Sequence, residues 1–234
     1  MSESAKTSEP PGLIHEIIPV GLLQCNCSVL GDPETGDAVV VDPGDEVEKI
    51  LAVIRRHSLK IRAILNTHAH IDHVGGFRKL REVTGAPILM HAEDLEMYRV
   101  LDIQAAMLGV RPPEAAEIEA TLKDGQTLRW GRYEFQVMHT PGHSRGSCCL
   151  YLPAGDGRGR LPATTDPGRV IAGDTLFAGS IGRTDLWGGS FDAIISSIRE
   201  KLMGLPDETA VYPGHGPATT IGRERAHNPF LAPE

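Results

Sequence analysis

Three histidines and one aspartate fall within six positions in the stretch Thr67-His68-Ala69-His70-Ile71-Asp72-His73. The apolar run Ile61 to Leu65 before it predicts a strand, and a helix is predicted from Gly75 onward. The cluster therefore lies in a turn between a strand and a helix, where side chains can converge on one point. Imidazole suits zinc, iron, nickel and copper, and a carboxylate adds manganese. The stretch predicts a metal site.

Three further ligand-type residues stand in similar surroundings, each in a Gly/Pro-rich loop after a predicted strand. They are His143 in TPGHS, Asp174 in GDT and His215 in PGHG. With the first cluster they make seven ligand side chains from four loops. Seven exceeds the four ligands of one tetrahedral zinc. The set favours two metals about 3.5–4 Å apart that share one carboxylate.

Composition narrows the range of partners. The chain of 234 residues has 23 Lys+Arg against 31 Asp+Glu, a formal net charge of -8. An acidic chain repels phosphate backbones, which argues against nucleic acid as a partner. The sequence contains no run of 18 apolar residues, so no transmembrane helix is expected. We predict a small-molecule partner and no membrane.

Cysteine usage and the N-terminus indicate the compartment. Of the four cysteines, Cys25 and Cys27 form a Cys-x-Cys pair that no second pair completes as a metal site. Reduced, partly buried thiols are the expected state. Residues 1–12 are polar and lack the apolar segment of a secretory signal. We therefore expect a cytoplasmic protein with a flexible leader over 1–12 and one domain over 13–234.

The order of predicted elements indicates the architecture. Each half of the sequence has several short strands and then a helix, without regular βαβ alternation. This order predicts two sheets packed face to face with helices on the outer faces. A helix from Asp45 should bury Val47, Ile50, Leu51 and Ile54, and the helix from Gly75 should bury Phe77, Leu80 and Val83. The segment Leu101 to Pro113 is predicted to be a mobile flap.

The motifs THAHIDH, PGHSRGS, GDTLF and YPGHG resemble the metallo-β-lactamase superfamily. More narrowly, they resemble the glyoxalase II-like (hydroxyacylglutathione hydrolase-like) hydrolases. The resemblance runs from Ile17-Ile18-Pro19-Val20 to Asn228-Pro229-Phe230 and implies an α/β fold, the four-layer αββα sandwich. It implies two divalent metals, zinc first, with iron or manganese as alternatives. The implied ligands are His68, His70 and His143 for one metal, Asp72, His73 and His215 for the other, and Asp174 as the bridge.

The resemblance also implies a reaction. It implies hydrolysis of a thioester such as S-D-lactoylglutathione by a metal-bridging hydroxide, with Asp72 and Asp174 as the catalytic carboxylates. Glyoxalase II enzymes carry a helical C-terminal domain that binds glutathione. This sequence resembles a short bacterial branch without that domain. Asp174 stands where subclass B1 β-lactamases have cysteine, which argues against β-lactam hydrolysis. His70 stands where diiron flavoproteins have glutamate, which argues against oxygen reduction.

Residues around these loops are candidates for supporting roles. Arg183, Phe177 and Met107 are candidate substrate contacts. Arg183 could instead pair with Asp185, and the two apolar side chains could simply pack in the core. Asp42 ends a buried strand and could orient a ligand histidine, or could only form the turn before Pro43.

Two other functions remain open from the sequence. The stretch Gly182-Arg183-Thr184-Asp185 resembles mononuclear iron persulfide dioxygenases that act on glutathione persulfide. Those enzymes use one histidine of the first cluster with the positions of His143 and Asp174. A non-catalytic metal-binding protein is the third interpretation. The sequence leaves the oligomeric state, the metal loading and the physiological acyl group open.

Overall fold

Two six-stranded β-sheets form the centre of the computed structural model, which describes residues 12–155 and 167–232. The first contains, in order, β1 Ile14–Val20, β2 Cys25–Gly31, β3 Asp37–Val41, β4 Lys60–Leu65, β5 Ile88–His91 and β6 Ala120–Leu122. The predicted leader lies outside the described residues except for Gly12.

The second sheet is built from the later part of the sequence. Its strands are β7 Thr127–Trp130, β8 Tyr133–His139, β9 Cys148–Leu152, β10 Arg169–Gly173, β13 Ala210–Pro213 and β14 Thr219–Thr220. Their spatial order is β14-β13-β10-β9-β8-β7. A separate hairpin consists of β11 Leu176–Phe177 and β12 Ser180–Ile181.

Helices cover the outer faces of both sheets. They are α1 Val47–Arg56, α2 Ile71–Val74, α3 Phe77–Thr84, α4 Leu95–Tyr98, α5 Leu101–Leu108, α6 Phe191–Ser197 and α7 Ile221–His227. A 3-10 turn over Ala92–Asp94 precedes α4, and a π-helical turn over Ile198–Leu202 continues α6. Among the described residues, the structure has no helix with the length and apolar character needed to cross a bilayer.

Alternation along the strands builds the layers. Successive side chains of a strand point to opposite faces of the sheet. In β3, Val39 and Val41 pack in the cluster between the two sheets, whereas Ala38 and Val40 pack in the cluster beneath α1 and α3. A third cluster joins the second sheet to α6 and α7. Three apolar clusters between four layers confirm the predicted αββα sandwich.

The predicted helix faces are mostly correct. Val47, Ile50, Leu51 and Ile54 are all buried on α1, although this helix begins at Val47 rather than Asp45. On α3, Phe77 and Leu80 are buried as predicted. The prediction for Val83 is wrong, because its side chain is 59% exposed. Steps of three residues fall behind the 3.6-residue turn, so the third position has rotated away from the core.

The expectation of no regular βαβ alternation is wrong for the first sheet. The pairs β3–β4, β4–β5 and β5–β6 are all parallel, and helical segments connect them. The strand β6 was not predicted from the sequence. The short run Ala120–Leu122 carries one fully buried apolar residue, Leu122, which is too little signal for a strand prediction.

Strand ends bring the predicted ligand loops together. Since β10 and β13 are parallel neighbours, the loops that carry Asp174 and His215 leave the same edge of the second sheet. The loop after β4 reaches that edge, where Cys148 N–H donates to the carbonyl oxygen of Thr67 at 2.8 Å. Asn26 N–H donates to the carbonyl oxygen of Gly214 at 2.7 Å. Both sheets therefore contribute to one site.

Candidate metal centre

The first group of ligand-type side chains consists of His68, His70 and His143. His143 Nε2 lies 2.8 Å from His70 Nδ1 and 3.2 Å from His68 Nε2. His68 and His70 come from the loop after β4, and His143 comes from the loop after β8. Three ring nitrogens from two loops thus face one point, and this group could hold a metal ion.

The second group consists of Asp72, His73 and His215. His215 Nε2 lies 3.1 Å from Asp72 Oδ2 and 3.3 Å from His73 Nε2. The short helix α2 supplies Asp72 and His73, and the loop after β13 supplies His215. This group could also hold a metal ion.

Asp174 lies between the two groups. Its Oδ2 is 3.6 Å from His143 Nε2 and 3.8 Å from His215 Nε2, and its Oδ1 is 3.5 Å from His73 Nε2. Oδ1 is buried and has no hydrogen-bond partner. A buried carboxylate oxygen without a donor is costly unless a cation compensates it. A metal ion between the groups would supply that cation.

Hydrogen bonds fix the tautomer of two of these histidines. His143 Nδ1 donates to the carbonyl oxygen of Arg183 at 2.8 Å, and His215 Nδ1 donates to that of Leu23 at 3.0 Å. A carbonyl oxygen only accepts, so Nδ1 must carry the proton and Nε2 of the neutral ring keeps its lone pair. Both lone pairs face into the cluster. The donor set therefore fits a metal.

A glycine permits this close approach. A Cβ atom at Gly214 would collide with Asp174 Oδ1 and would lie 2.7 Å from His73 Cε1. Only glycine fits there, which explains why a glycine directly precedes His215 in the Pro-Gly-His sequence.

Asp42 holds the loop that carries the first motif. Its Oδ1 accepts from Thr67 N–H at 2.8 Å and Asn66 Nδ2 at 3.0 Å, while Oδ2 accepts from the Thr67 hydroxyl and from His73 Nδ1 at 3.0 Å. The backbone of Asp42 is left-handed, with φ of 50°. Asp42, His68 and His73 also form a possible metal group by distance. Because four donors already occupy its oxygens, Asp42 suits orienting His73 better than ligation.

The protonation states also suit cation binding. Burial, with neighbouring histidines, holds the pKa of His68 well below its usual value and lowers the pKa of His70 to about 3. Burial also opposes charge on His73, but Cys25, Asp174 and Asp42 raise its pKa well above the usual value. Burial likewise opposes charge on Asp72, yet in the absence of metal a protonated His215, which donates through Nε2, lowers the pKa of Asp72. Surroundings that favour a proton on His73 equally favour a metal cation.

Asp94 links the two loops of the first group, and no sequence signal pointed to it. Its side chain is fully buried. Oδ2 accepts from Ala69 N–H at 2.9 Å and from the Ser144 hydroxyl at 2.8 Å, and Oδ1 accepts from Gly146 N–H at 2.7 Å. Ala69 lies between His68 and His70, and Ser144 follows His143. One carboxylate thus sets the separation of these ligand-type residues.

Asp94→Asn should weaken both folding and metal binding. An amide NH₂ group would face at least one of these donors, and an unmade buried hydrogen bond costs about 1–3 kcal/mol. We expect metal affinity to fall by about 10- to 100-fold, the range for outer ligand-positioning partners. Urea denaturation and competition with a chelator measure the two effects. Glu93→Gln, one residue earlier, is the control, and equal metal affinities in the two variants would contradict the role.

The three candidate substrate contacts differ in their exposure and in the element that carries them. Arg183 forms a bidentate ion pair with Asp185, both distances being 2.8 Å, on the exposed surface. Phe177 is half-buried in the β11–β12 hairpin. Met107 is 74% exposed on α5 and is not among the residues that line the groove beside Asp72. Substrate contact by these three residues stays a prediction.

The segment Leu101 to Pro113 is partly helical. Its first eight residues form α5, and Leu101 and Ala105 are buried. Gln104 Nε2 donates to the carbonyl oxygen of Ala69 at 3.2 Å, and Gln104 Oε1 accepts from Ile71 N–H at 2.9 Å. This segment is therefore attached to the ligand loop, and its mobility stays a prediction.

Comparison with known proteins identifies the family. The model of the metallo-beta-lactamase superfamily matches residues 20–157 and 163–215. The chain belongs to the metallo-beta-lactamase superfamily. The match includes every ligand-type residue of the two groups and Asp174, and it confirms the resemblance seen in the motifs.

Named relatives within the superfamily are similar over nearly their whole length. Hydroxyacylglutathione hydrolase GloC of Haemophilus influenzae is 36% identical over 223 residues, covering 92% of this chain and 97% of GloC. Among solved structures, the di-iron-bound form of TTHA1623 has a TM-score of 0.77 at 39% identity, covering 92% of this chain and 100% of the other.

Two further solved structures carry different names. BLEG-1, a B3 metallo-beta-lactamase, has a TM-score of 0.82 at 36% identity and covers 94% of this chain and 100% of its own. ETHE1 from Myxococcus xanthus has a TM-score of 0.72 at 28% identity and covers 92% of this chain and 83% of its own. Similar structures in the superfamily thus carry more than one name.

Proposed function

We propose that this protein is a two-metal hydrolase of thioesters, acting on S-D-lactoylglutathione or a related acyl thioester. The observation that carries the proposal is the orphaned carboxylate oxygen of Asp174 between two complete groups of ligand-type side chains. A single metal ion would engage only one of these two groups of ligand-type side chains, and the other group would have no ion to bind. The similarity to the hydroxyacylglutathione hydrolase GloC supports the thioester as substrate.

In this proposal, the seven ligand-type residues are assigned to two metal ions. His68, His70 and His143 would hold one metal, Asp72, His73 and His215 would hold the other, and Asp174 would contact both. When bound, two such divalent ions lower the pKa of a water molecule and polarise a carbonyl group. Zinc is our first choice, and iron or manganese are alternatives. Asp72 and Asp174 contribute the negative charge that holds two dications close together.

The hydrogen bonds around the histidines keep the site rigid. Carbonyl oxygens of Leu23 and Arg183 hold His215 and His143 with Nε2 facing inward. Asp42 holds His73 in the same way. Because these rings are already oriented before substrate binds, little reorganisation is needed during the reaction. Asp72 also lines the groove beside the site, so a thioester lying in the groove reaches the metal groups from that side.

A persulfide dioxygenase with one iron is the second candidate. Its support is the similarity to ETHE1 and the stretch Gly182-Arg183-Thr184-Asp185. The second metal group counts against it. The similarity to BLEG-1 adds β-lactams to the compounds that need assay, because the presence of Asp174 argued only against subclass B1 enzymes.

One set of assays on the same metal-loaded sample separates these functions. We expect hydrolysis of S-D-lactoylglutathione, lost on chelation and restored by added metal, with little oxygen consumption on glutathione persulfide and little turnover of a β-lactam. Oxygen consumption with glutathione persulfide and no thioester hydrolysis would replace the proposal with the dioxygenase. Dominant β-lactam turnover would also overturn it.

A further inference from the structure

A groove of about 310 Å³ opens beside Asp72. One wall is the turn after β1, where Leu22 and Leu23 lie, and the other is the segment after α5, which includes Val110 and Arg111. Because Asp72 belongs to the second metal group, the groove borders the reaction site directly.

Hydrogen bonds attach both walls to the metal centre. The carbonyl oxygen of Leu23 accepts from His215 Nδ1 at 3.0 Å. On the other side, Gln104 of α5 accepts from Ile71 N–H at 2.9 Å and donates to the carbonyl oxygen of Ala69. A ligand held by these walls is therefore placed at a defined distance from the proposed metals.

The walls expose apolar side chains that a ligand would cover. Leu22 is 78% exposed, Leu23 46%, Leu108 45% and Val110 38%. Single exposed apolar residues are ordinary, but four around one groove next to polar chemistry are typical of a binding site. Covering them would favour a ligand with an apolar or peptide-like body.

Arg111 gives the groove a positive charge. No carboxylate within 12–155 and 167–232 forms an ion pair with it. The acidic residues that follow it are already engaged, since Glu114 pairs with Arg78, and Glu117 and Glu119 pair with Arg81. As far as the described residues are concerned, the guanidinium is therefore available to bind a carboxylate with two parallel hydrogen bonds.

Asp45 is the second acidic residue that lines the groove, besides Asp72. Its Oδ1 accepts from Glu46 N–H at 2.6 Å, so part of its capacity is used by the backbone. Asp45 would repel an anion nearby. An anionic ligand would therefore bind in the groove only with its negative charge close to Arg111.

We propose that this groove binds the thiol half of the thioester and that Arg111 pairs with a carboxylate of that half. The proposal rests on the thioester hydrolase function and narrows its substrate class to thioesters of carboxylate-bearing, peptide-like thiols. The groove supplies the thiol recognition within this chain itself.

The test compares two thioesters with the same lactoyl group, one of glutathione and one of the neutral thiol N-acetylcysteamine. Arg111→Ala should lower kcat/KM for the glutathione thioester about three- to fivefold, which is the effect expected for an exposed ion pair. The decrease should come from a higher KM, with kcat nearly unchanged. Arg111→Glu should lower it further, and Arg111→Lys should retain most of it. For the neutral thioester, kcat/KM should change less than about twofold in all three variants.

Controls separate this inference from the function on which it rests. Arg99→Ala removes a cation that lines a different groove, and it should leave kcat/KM for both thioesters unchanged. Calorimetry with S-methylglutathione, which cannot be hydrolysed, should show a weaker Kd in Arg111→Ala by the same factor. Hydrolysis of both thioesters without any dependence on Arg111 would overturn the groove assignment. Hydrolysis of neither thioester by the wild-type protein would overturn the proposed function.

Discussion

Asp174→Asn is expected to lower kcat/KM for thioester hydrolysis by more than about 100-fold, because outer ligand-positioning partners alone account for about 10- to 100-fold. Asparagine keeps the shape of the side chain but removes the negative charge that lies between the two groups. Asp174 Oδ1 is a buried oxygen without a hydrogen-bond donor among the described residues, and the carboxylate lies within 3.8 Å of ring nitrogens from both groups. Metal content should also fall, because two dications then lack their shared carboxylate.

Asp185→Asn is the matched control for this variant. Asp185 lies in the same region of the sequence, but it is exposed and its ion-pair partner among the described residues is Arg183. An exposed ion pair contributes about 0–1 kcal/mol, so its loss should change kcat/KM less than about fivefold. Equal activity in Asp174→Asn and Asp185→Asn, with unchanged metal content, would contradict a bridging role for Asp174.

Asp42→Asn is expected to produce the second large effect, on metal binding and stability together. An amide group at this position must direct NH₂ hydrogens at donors that now contact a carboxylate oxygen, and each unmade buried bond costs about 1–3 kcal/mol. His73 loses the acceptor that orients its ring. Affinity of the second group for its metal should fall by about 10- to 100-fold.

Asp37→Asn tests whether the effect at Asp42 is specific. Asp37 begins β3 and Asp42 directly follows it, but Asp37 pairs with the exposed Arg62 at 2.7 Å. Its substitution should change the free energy of unfolding by less than about 1 kcal/mol and leave metal affinity unchanged. Urea denaturation of the metal-free proteins separates folding from metal binding. If Asp42→Asn loses stability but binds metal as tightly as the wild type, Asp42 does not position His73.

The ligand-type residues could be predicted because local signals mark each of them. Each of the four ligand-bearing segments follows a strand, and those of His143, Asp174 and His215 are also rich in glycine and proline. Strand ends meet at one edge of a sheet, which brings these segments together. The spacing of His68, His70, Asp72 and His73 needs no tertiary information. Asp94 had no such signal. It lies 50 residues from Ser144 and directly precedes α4, so its sequence context is that of an ordinary helix start.

The layers were easier to predict than the strand connections. Continuous apolar runs in β3 and β9 indicate burial on both faces, which requires a packed layer on each side of the strand. The direction of each pairing depends on the path of the intervening chain. The sequence predicted a turn up to Gly75, whereas the structure has the short helix α2 there, separate from α3. The break between them at Gly75 and Gly76 arises because the carbonyl oxygens of Gly44 and Pro43 pack against these glycines. That contact joins segments about 30 residues apart and leaves no local pattern.

Titration of the metal-free protein with zinc tests the two-metal hydrolase most directly. Thioester hydrolysis is measured after each addition and bound zinc is measured in parallel. We predict that the rate of hydrolysis rises until two equivalents of zinc per chain are bound. Asp174→Asn should neither bind the second equivalent nor reach the rate of the wild type. A rate that is complete at one equivalent, or two bound equivalents with no thioester hydrolysis, would contradict the proposed function.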